Sequence, residues 1–452
     1  MGDFFGSIWW LIVSLGVLIT FHEFGHFWVA RRIGVKVLRF SVGFGKPLWS
    51  RRGKDGTEFA IAAIPLGGYV KMLDEREGPV AEADLPHAFN RKNVWQRIAI
   101  VAAGPIANLL LCVILLWAMF MIGRGDYAPV LGGATGIAAE AGLQSGDRIL
   151  RVGDREVATW SQASIAMIPT ALDGHDIALT VRTANGQQAE RTLRLSQLPP
   201  GFDETQVALQ AGIVWQFLRS APVIDEIVPG SAADGVLQVG DRILAIDGKR
   251  IGYSDEVAPA VQALGEQGGE AMIDVERNGE RLALPVAPRQ NTAPDATNKW
   301  LLGIGVSAKE APPYDAVEKF GLLASFPMAL RQTGQMFSDS LGMIRRMITG
   351  QASVRNISGP VSIARAANES AKRGVDWFLY FLALVSLSLA IINLMPIPIL
   401  DGGHLLYYLI ELVKGSPLSD RAAIAGQYVG LALLAGLMGL AFYNDILRLP
   451  SG

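Results

Sequence analysis

FFGSIWWLIVSLGVLITFHEFGHFWVA, residues 4–30, runs for eighteen residues without a charge before it meets two histidines and a glutamate. An uncharged stretch of this kind is close to the roughly 20 residues that a helix needs to cross the hydrocarbon core of a bilayer. Ionisable groups inside such a span are costly and mark a functional site by default. Residues 4–30 therefore predict a transmembrane helix that carries a polar site in its second half.

The ionisable groups of this segment have the spacing of a metal site. His22 and His26 are four residues apart and so share one face of a helix. Glu23 lies beside them, and this pattern is typical of a Zn²⁺ site whose glutamate is a general base. Catalytic zinc takes a third protein ligand and keeps a fourth position open. Asp401 is the best candidate, at the end of NLMPIPILD, residues 393–401, where two prolines interrupt an apolar run.

Composition extends the membrane prediction to the rest of the chain. Half of the 452 residues are hydrophobic and 18% are charged, and the mean hydropathy is +0.30. The net charge of −2 excludes a general nucleic-acid-binding surface, and the single Cys112 excludes an intramolecular disulfide. No basic region precedes the first span, so we do not expect it to be a cleaved signal peptide. Four segments are predicted to span a bilayer: 4–30, 98–122, 377–400 and 422–443.

The distribution of charge predicts the orientation of these spans. The loop between the first two contains thirteen Lys or Arg residues, and nothing basic precedes the first span. By the positive-inside rule this loop is cytoplasmic and the N-terminus is outside. Counting spans then places residues 124–370 outside and 405–421 inside. His22, His26 and Asp401 all fall at cytoplasmic ends of their spans, so the two halves of the predicted metal site reach the same depth.

The large external segment contains a tandem repeat. AEAGLQSGDRIL, residues 139–150, matches ADGVLQVGDRIL, residues 233–244, at an offset of 94. This period is too long for a solenoid and indicates two copies of a small domain. Short β-rich runs at 177–181, 224–228 and 272–275 alternate with Gly and Asp turns, as in small mixed β domains. The predicted boundaries are 124–220 and 221–295. A polar linker at 291–298 follows, and residues 296–374 are assigned to linker and amphipathic helices, including a helical pattern over 315–347.

The cytoplasmic loop is predicted to hold β-hairpin material at 35–50 and 58–72. It includes the glycine-rich stretches Gly43-Phe44-Gly45 and PLGGY, residues 65–69. Such backbone beside a membrane is tolerable only where protein or a watery cavity satisfies its polar groups. We therefore expect a membrane-associated β region at 35–72. It belongs to an N-terminal membrane half, residues 1–123, whose counterpart is a C-terminal half, residues 375–452.

HEFGH in the first span, the Asn393 to Gly402 segment in a later span and two PDZ-like repeats between them closely resemble the site-2 protease family. The resemblance covers nearly the whole chain. The expected fold is a multi-pass α-helical membrane protein with four transmembrane helices, a membrane-associated β-hairpin region and two tandem extracytoplasmic PDZ-like α+β domains. The resemblance implies a zinc-dependent membrane metalloendopeptidase, with ligands at His22, His26 and Asp401 and with Glu23 catalytic.

The same resemblance implies how substrate is held and what it is. Asn393 would help to hold the substrate backbone, and Gly43-Phe44-Gly45 would offer an edge strand to an unwound substrate. Family members cut the transmembrane segment of a single-pass protein already trimmed outside, typically an anti-sigma factor in an envelope stress response, and they clear remnant signal peptides. The implied location is the bacterial inner membrane, with the active site near the cytoplasmic side and the PDZ-like domains periplasmic. One chain contains all the catalytic groups, so a monomer suffices.

Other interpretations of these residues remain open from the sequence. A membrane scaffold or chaperone could use the PDZ-like pair and a structural zinc, for which His404 could supply a fourth ligand. An ion transporter with buried His and Asp fits less well, because repeated membrane halves with broken helices would be expected. Asp401 could be only a helix N-cap. Pro105 and Asn108 could kink the second span near the site or merely pack.

Overall fold

The computed structural model describes residues 2–199, 201–216, 221–268, 271–290, 300–306, 314–354 and 357–447. Backbone contacts divide the chain into two compact units, residues 1–125 with 318–452 and residues 126–317. The predicted polar linker at 291–298 falls outside the described residues. The division follows the sequence pattern, because the apolar segments belong to the first unit and the repeat belongs to the second.

Helices build most of the first unit. In chain order the described α-helices are α1 (Gly2–Arg32), α2 (Val94–Ile122), α3 (Gly136–Glu140), α4 (Trp160–Leu172), α5 (Val207–Gln210), α6 (Val257–Gln267), α7 (Leu322–Ile348), α8 (Pro360–Arg373), α9 (Val375–Leu394), α10 (Asp401–Lys414) and α11 (Asp420–Leu447). Four of them, α1, α2, α9 and α11, are long and apolar enough to cross a membrane. Each overlaps one of the four predicted spans, as expected for an integral membrane protein.

Strands form the β region of the first unit and most of the second unit. In chain order the described strands are β1 (Val37–Arg52), β2 (Glu58–Met72), β3 (Arg124–Asp126), β4 (Leu131–Ala134), β5 (Arg148–Val152), β6 (Arg155–Glu156), β7 (Ile177–Arg182), β8 (Gln188–Leu193), β9 (Ile213–Trp215), β10 (Ile224–Ile227), β11 (Arg242–Ile246), β12 (Lys249–Arg250), β13 (Ala271–Arg277), β14 (Glu280–Val286), β15 (Arg289–Gln290), β16 (Trp300–Leu301), β17 (Ile304–Val306) and β18 (Ala316–Glu318).

Helix α2 is central to the first unit and packs against α1, α7, α9 and α10. It begins with a capping box in which Asn93 and Gln96 exchange side-chain and backbone hydrogen bonds. Leu116 and Phe120 belong to its buried core cluster. A Cβ atom on Gly25 of α1 would lie 2.3 Å from the carbonyl oxygen of Ala103, so the two backbones touch. This contact occurs within HEFGH and brings α2 against the predicted metal site.

The third predicted span ends earlier than expected. Residues 377–400 were expected to be continuous, but α9 ends at Leu394 and α10 begins at Asp401. Pro396 and Pro398 lack the N–H that a helix needs and clash with the preceding turn, so the helix stops before them. A tight turn then leads into α10, and in it the N–H of Leu400 donates to the carbonyl of Ile397.

A largely buried ion pair ties α10 to α2. The guanidinium of Arg97 donates to Glu411 Oε1 at 2.6 Å, and the two side chains are 11% and 12% exposed. The same guanidinium lies 4.7 Å from the ring centroid of Tyr408. Glu411 and Tyr408 are both in α10, so these contacts hold against α2 the helix that starts at Asp401.

Strands β1 and β2 form the expected β region with nearly the predicted bounds. Both strands are long, and β2 bends back on itself: Val42 of β1 pairs with Gly68 near one end of β2 and with Ile61 near the other. The rings of Phe40 and Phe59 pack edge-on against Phe27 of α1, with centroid distances of 5.4 and 5.7 Å. The sheet is therefore anchored on α1 directly after HEFGH.

The two halves of the second unit repeat one topology. One sheet has the order β6-β5-β7-β8 and the other has β12-β11-β13-β14. The pairing register shifts between Ile149 and Arg151 in the first sheet and between Ile243 and Ala245 in the second, at the same offset of 94 as the sequence repeat. Each module has its own core cluster and packs one helix, α4 or α6, near its sheet. Strand β10 pairs with β17, so residues beyond 295 contribute to the second module.

The region assigned to amphipathic helices contains α7 and α8. The sequence predicts a helical pattern over residues 315–347, and α7 spans Leu322–Ile348. Ala329 and Met336 of α7 are buried in the core that α2 and α9 share, whereas Leu323 and Phe326 are exposed. The helix thus has one face packed on α2 and α9 and a second, exposed face that is also apolar.

The second module contains an ion pair that the first lacks. Arg277 donates two hydrogen bonds of 2.7 Å to the Asp241 carboxylate, whose side chain is 1% exposed. At the offset of 94, Asp147 and Thr183 take these places in the first module. Burial raises the pKa of Asp241, but the hydrogen bonds from Arg277 and from the Gln238 N–H prevail and hold it below its usual value.

Arg277→Met is expected to lower the local free energy of unfolding of the second module by about 2–3 kcal/mol, because it leaves a buried carboxylate without its cation. The loss is set below that of a fully buried pair since Arg277 is 20% exposed. The measurement is hydrogen exchange of β11 and β13 in the intact protein, with the exposed Arg281→Met as control. Because the folded pKa is depressed, the stabilisation is complete above about pH 4 and is lost as the pH falls through the lowered value. Unchanged protection in Arg277→Met would contradict this account.

Candidate metal centre and active site

Helices α1 and α10 bring the three predicted metal ligands together. Asp401 Oδ2 lies 3.1 Å from His22 Nε2 and 3.4 Å from His26 Nε2. The two Nε2 atoms are 3.2 Å apart. Among the described residues this is the one group of three or more His, Cys, Asp or Glu side chains with ligand atoms this close together.

The triangle of donor atoms has the size that zinc requires. Zinc bonds of about 2.0–2.1 Å at tetrahedral angles separate two donor atoms by about 3.4 Å. The three observed separations run from 3.1 to 3.4 Å. Asp401 Oδ2 is buried within 3.4 Å of both Nε2 atoms and has no well-aligned hydrogen-bond donor among the described residues, an arrangement that is costly unless a cation is nearby. The residues fit a zinc ion with three protein ligands, which is the catalytic pattern rather than the structural one.

Helix α2 supports both imidazoles from behind. His26 Nδ1 donates to the carbonyl of Ile100 at 2.8 Å, and His22 Nδ1 lies 3.4 Å from the side-chain amide of Asn108. Between them, a Cβ on Gly104 would lie 2.2 Å from His26 Nε2 and 2.8 Å from His22 Cε1. Nδ1 of each ring therefore faces α2 while Nε2 faces Asp401. Metal-binding histidines are commonly oriented in this way through their second nitrogen.

The sequence left the role of Asn108 undecided and did not single out Ile100 or Gly104. The one available signal was a glycine in the interior of an apolar helix, which usually marks a close contact. Nothing in that signal says which group makes the contact, because the partners are in a helix more than seventy residues away.

Glu23, the predicted general base, lies beside a strand. A Cβ on Gly68 of β2 would lie 3.0 Å from Glu23 Cγ, and the Glu23 carboxylate faces the backbone N–H of Val70. Among the described strands, residues 68–72 pair with residues 37–42 and with no other partner. The Glu23 carboxylate thus lies next to a sheet edge, and this edge is in β2.

The Gly43-Phe44-Gly45 segment meets the site through β2. The Phe44 ring stacks on Tyr69 with a centroid distance of 6.2 Å, and a Cβ on Gly67 would collide with that same ring. Gly43 and Gly45 have φ values of +92° and +88°, which a side chain would strain, so both glycines are needed where the chain bends. The segment shapes the part of β2 that precedes Val70.

Asn393 and His404 flank the segment that leads to Asp401. Asn393 is half-buried in the last turn of α9, and no hydrogen bond of its side chain is found among the described residues. His404 is outside the group of ligand atoms and instead contacts Tyr407 edge-on. Leu400, rather than Asp401, is the N-cap of α10 and no side-chain cap is made there, so the interpretation of Asp401 as a mere cap is wrong.

Comparison with known proteins accounts for almost the whole chain. The family model described as Peptidase family M50 matches residues 10–437. The chain belongs to peptidase family M50. This M50 peptidase is 59% identical over 447 residues to a protein of Xylella fastidiosa (strain 9a5c) named as a zinc metalloprotease, covering 99% of this chain and 100% of that one.

Two further relatives are named as RseP proteases. The M50 peptidase is 40% identical over 444 residues to the regulator of sigma-E protease RseP of Escherichia coli (strain K12), covering 97% of this chain and 98% of that one. It is 40% identical over 451 residues to protease RseP of Yersinia pestis, covering 98% and 100%. The resemblance to the site-2 protease family is confirmed. The protein is a metalloprotease, and its cofactor is zinc.

Proposed function

We propose that this M50 peptidase is an intramembrane endopeptidase in which His22, His26 and Asp401 hold zinc and Glu23 is the general base. The observation that carries the proposal is the donor triangle with separations of 3.1 to 3.4 Å. It is assembled from a helix able to span the bilayer and from the start of α10, just past the end of another such helix. Peptide hydrolysis at this depth requires water, so a hydrophilic opening to the cytoplasmic side belongs to the proposal.

Each residue has a distinct part in the reaction. Zinc, when bound, lowers the pKa of water to about 7 and polarises a scissile carbonyl. The Glu23 carboxylate takes a proton from the attacking water and passes it to the leaving amide nitrogen. Residues 68–70 of β2 can pair with an extended substrate strand beside Glu23. Asn393 has an amide able both to donate to and to accept from that strand.

In this proposal Gly43-Phe44-Gly45 acts on the substrate indirectly. The segment supports the part of β2 that would pair with substrate, because the ring of Phe44 stacks on that of Tyr69. A substrate must leave the helical conformation before it can pair with a strand, because the backbone groups of a helix are already hydrogen-bonded. The substrate is therefore a transmembrane segment that unwinds readily.

We further propose a substrate class. The substrate is the transmembrane segment of a single-pass membrane protein already trimmed outside, of the anti-sigma factor class, and remnant signal peptides are a second class. The name of the Escherichia coli relative, regulator of sigma-E protease, supports a role in regulated proteolysis during an envelope stress response. The thirteen basic residues between the first two spans support a cytoplasmic position for the site.

The repeated modules complete the proposal. They are PDZ-like, they lie on the periplasmic side of the bacterial inner membrane, and they admit trimmed substrates either by binding peptide ends or as a steric filter. All the proposed catalytic groups are in one chain, so a monomer is sufficient. The rival function, a membrane scaffold or chaperone with structural zinc, needs four protein ligands, and the described residues offer three.

Metal removal tests the proposal directly. Full-length protein in nanodiscs is expected to contain about one zinc per chain and to cleave a trimmed single-pass substrate within its membrane segment. A chelator should abolish cleavage and added zinc should restore it. Asp401→Asn should lose most of the zinc, whereas Asp84→Asn, whose partner Lys36 is on the surface, should keep it. Full zinc content in Asp401→Asn, or cleavage confined to the soluble part of the substrate, would refute the assignment.

A further inference from the structure

A fully buried amide faces the metal centre from α2. Asn108 has no exposed surface, and its side-chain Nδ2 is 3.4 Å from Nδ1 of His22. Its backbone carbonyl accepts a hydrogen bond of 2.7 Å from the hydroxyl of Ser386 in α9. Its side-chain Oδ1 is buried and accepts no hydrogen bond from the described residues. The amide is thus fully buried beside His22, while its oxygen lacks a donor among the described residues.

The chemistry of the neighbouring imidazole supplies that donor. A histidine that binds a metal through Nε2 carries its remaining proton on Nδ1, so Nδ1 needs an acceptor. His26 has one in the carbonyl of Ile100, at 2.8 Å. For His22, the partner found at Nδ1 is the amide of Asn108. The two ends of an amide have nearly the same shape, and a half-turn about Cβ–Cγ brings Oδ1 to the position that faces Nδ1.

We propose that Asn108 is a positioning residue for the metal centre. Its side-chain oxygen accepts the Nδ1–H of His22 and so fixes the ring with Nε2 directed at Asp401. The inference rests on the zinc site proposed above. Ile100, Gly104 and Asn108 follow one another at intervals of four residues along α2, so one face of this helix serves both imidazoles. This face offers the carbonyl of Ile100 to His26 and the amide of Asn108 to His22. Gly104, between them, has no side chain and so leaves room for both rings.

The test measures zinc affinity on the full-length protein by competition with a chromophoric chelator. Asn108→Leu keeps the branched shape but has no acceptor, and Asn108→Ser is too short to reach the ring. Both are expected to weaken zinc binding about 10- to 100-fold, as is usual for a lost partner of a metal-binding histidine. Asn108→Asp retains an acceptor and should stay within a few-fold of the wild type. Ser386→Ala removes the hydrogen bond to the Asn108 backbone without changing the amide, and it should bind zinc as the wild type does.

Two further measurements separate a local effect from a general one. The melting temperature in excess chelator reports whether each variant folds, and the rise on adding zinc should shrink only in Asn108→Leu and Asn108→Ser. Wild-type zinc affinity in both variants would overturn the inference. If His22→Leu and Asp401→Asn lose zinc while the Asn108 variants keep it, this inference alone fails. If those two ligand variants also bind zinc normally, the proposed metal site itself fails.

Discussion

Glu23→Gln is expected to abolish cleavage while leaving zinc in place. Glutamine has nearly the same shape as glutamate but cannot take a proton, and a positioned general base contributes about 10²- to 10⁴-fold to the rate. Glu23 does not belong to the group of three ligand atoms, so its neutralisation should not release the ion. The measurements are the cleavage rate of a model transmembrane substrate in nanodiscs and the zinc content of the same sample.

Glu82→Gln is the matched control for this change. Glu82 is an exposed acidic residue of the segment between the first two spans, and its variant should retain wild-type activity and zinc. A Glu23→Gln protein that cleaves at more than about a tenth of the wild-type rate would remove Glu23 from the role of base. Loss of zinc in the variant would instead make Glu23 a ligand. A scaffold with a structural zinc would work equally well with either residue.

Gly104→Ala is the second change expected to have a large effect, although it adds a single methyl group. That carbon would lie 2.2 Å from His26 Nε2. Ordinary van der Waals contacts between heavy atoms are about 3.5–4.0 Å, so the imidazole must move by about an ångström or more. A displacement of about 1 Å at a catalytic centre can lower the rate about 10²-fold. Alanine is about 1 kcal/mol more favourable than glycine inside a helix, so α2 itself should not be weakened.

The expected result is a folded protein with impaired chemistry. Zinc affinity and cleavage should both fall about 10²-fold in Gly104→Ala, while the melting temperature in excess chelator stays at or above the wild-type value. Gly16→Ala in α1 is the control, because no heavy atom lies within 4 Å of the Cβ that it would add. If Gly104→Ala cleaves and binds zinc like the wild type, the close approach of α2 to the two rings is contradicted.

The metal centre shows how far the chain can be interpreted without its fold. The spacing of His22 and His26 and the charge bias of the first loop were enough to select Asp401 as their partner and to predict a common depth. In the structure the three donor atoms meet within 3.4 Å. Membership of the M50 family and dependence on zinc bear out the predicted class of enzyme. The roles of individual residues stay predictions that the variants above test.

The third span and the surroundings of Glu23 mark where sequence patterns reach their limit. Hydropathy predicted that the third span reaches residue 400, since isoleucine and leucine continue past the prolines. The helix ends before those prolines, at Leu394. Gly68 and Val70 are the residues found beside Glu23, and the sequence did not single out Val70. The role of Gly43-Phe44-Gly45 as an edge for the substrate stays a prediction. Local composition signals a tight bend or a close contact, but the identity of the neighbour depends on strands and helices that are distant in the chain.

Local chemistry along the chain was sufficient for the apolar spans and the repeat at offset 94, and it singled out the three side chains whose donor atoms meet in the structure, because each depends on residue type and short-range spacing. The support that Ile100, Gly104 and Asn108 give to the imidazoles emerged only when the helices were packed together. In a membrane span nearly every face is apolar, so hydrophobic periodicity cannot indicate which face meets another helix. Close packing between backbones makes that choice, and it involves residues far apart in the chain.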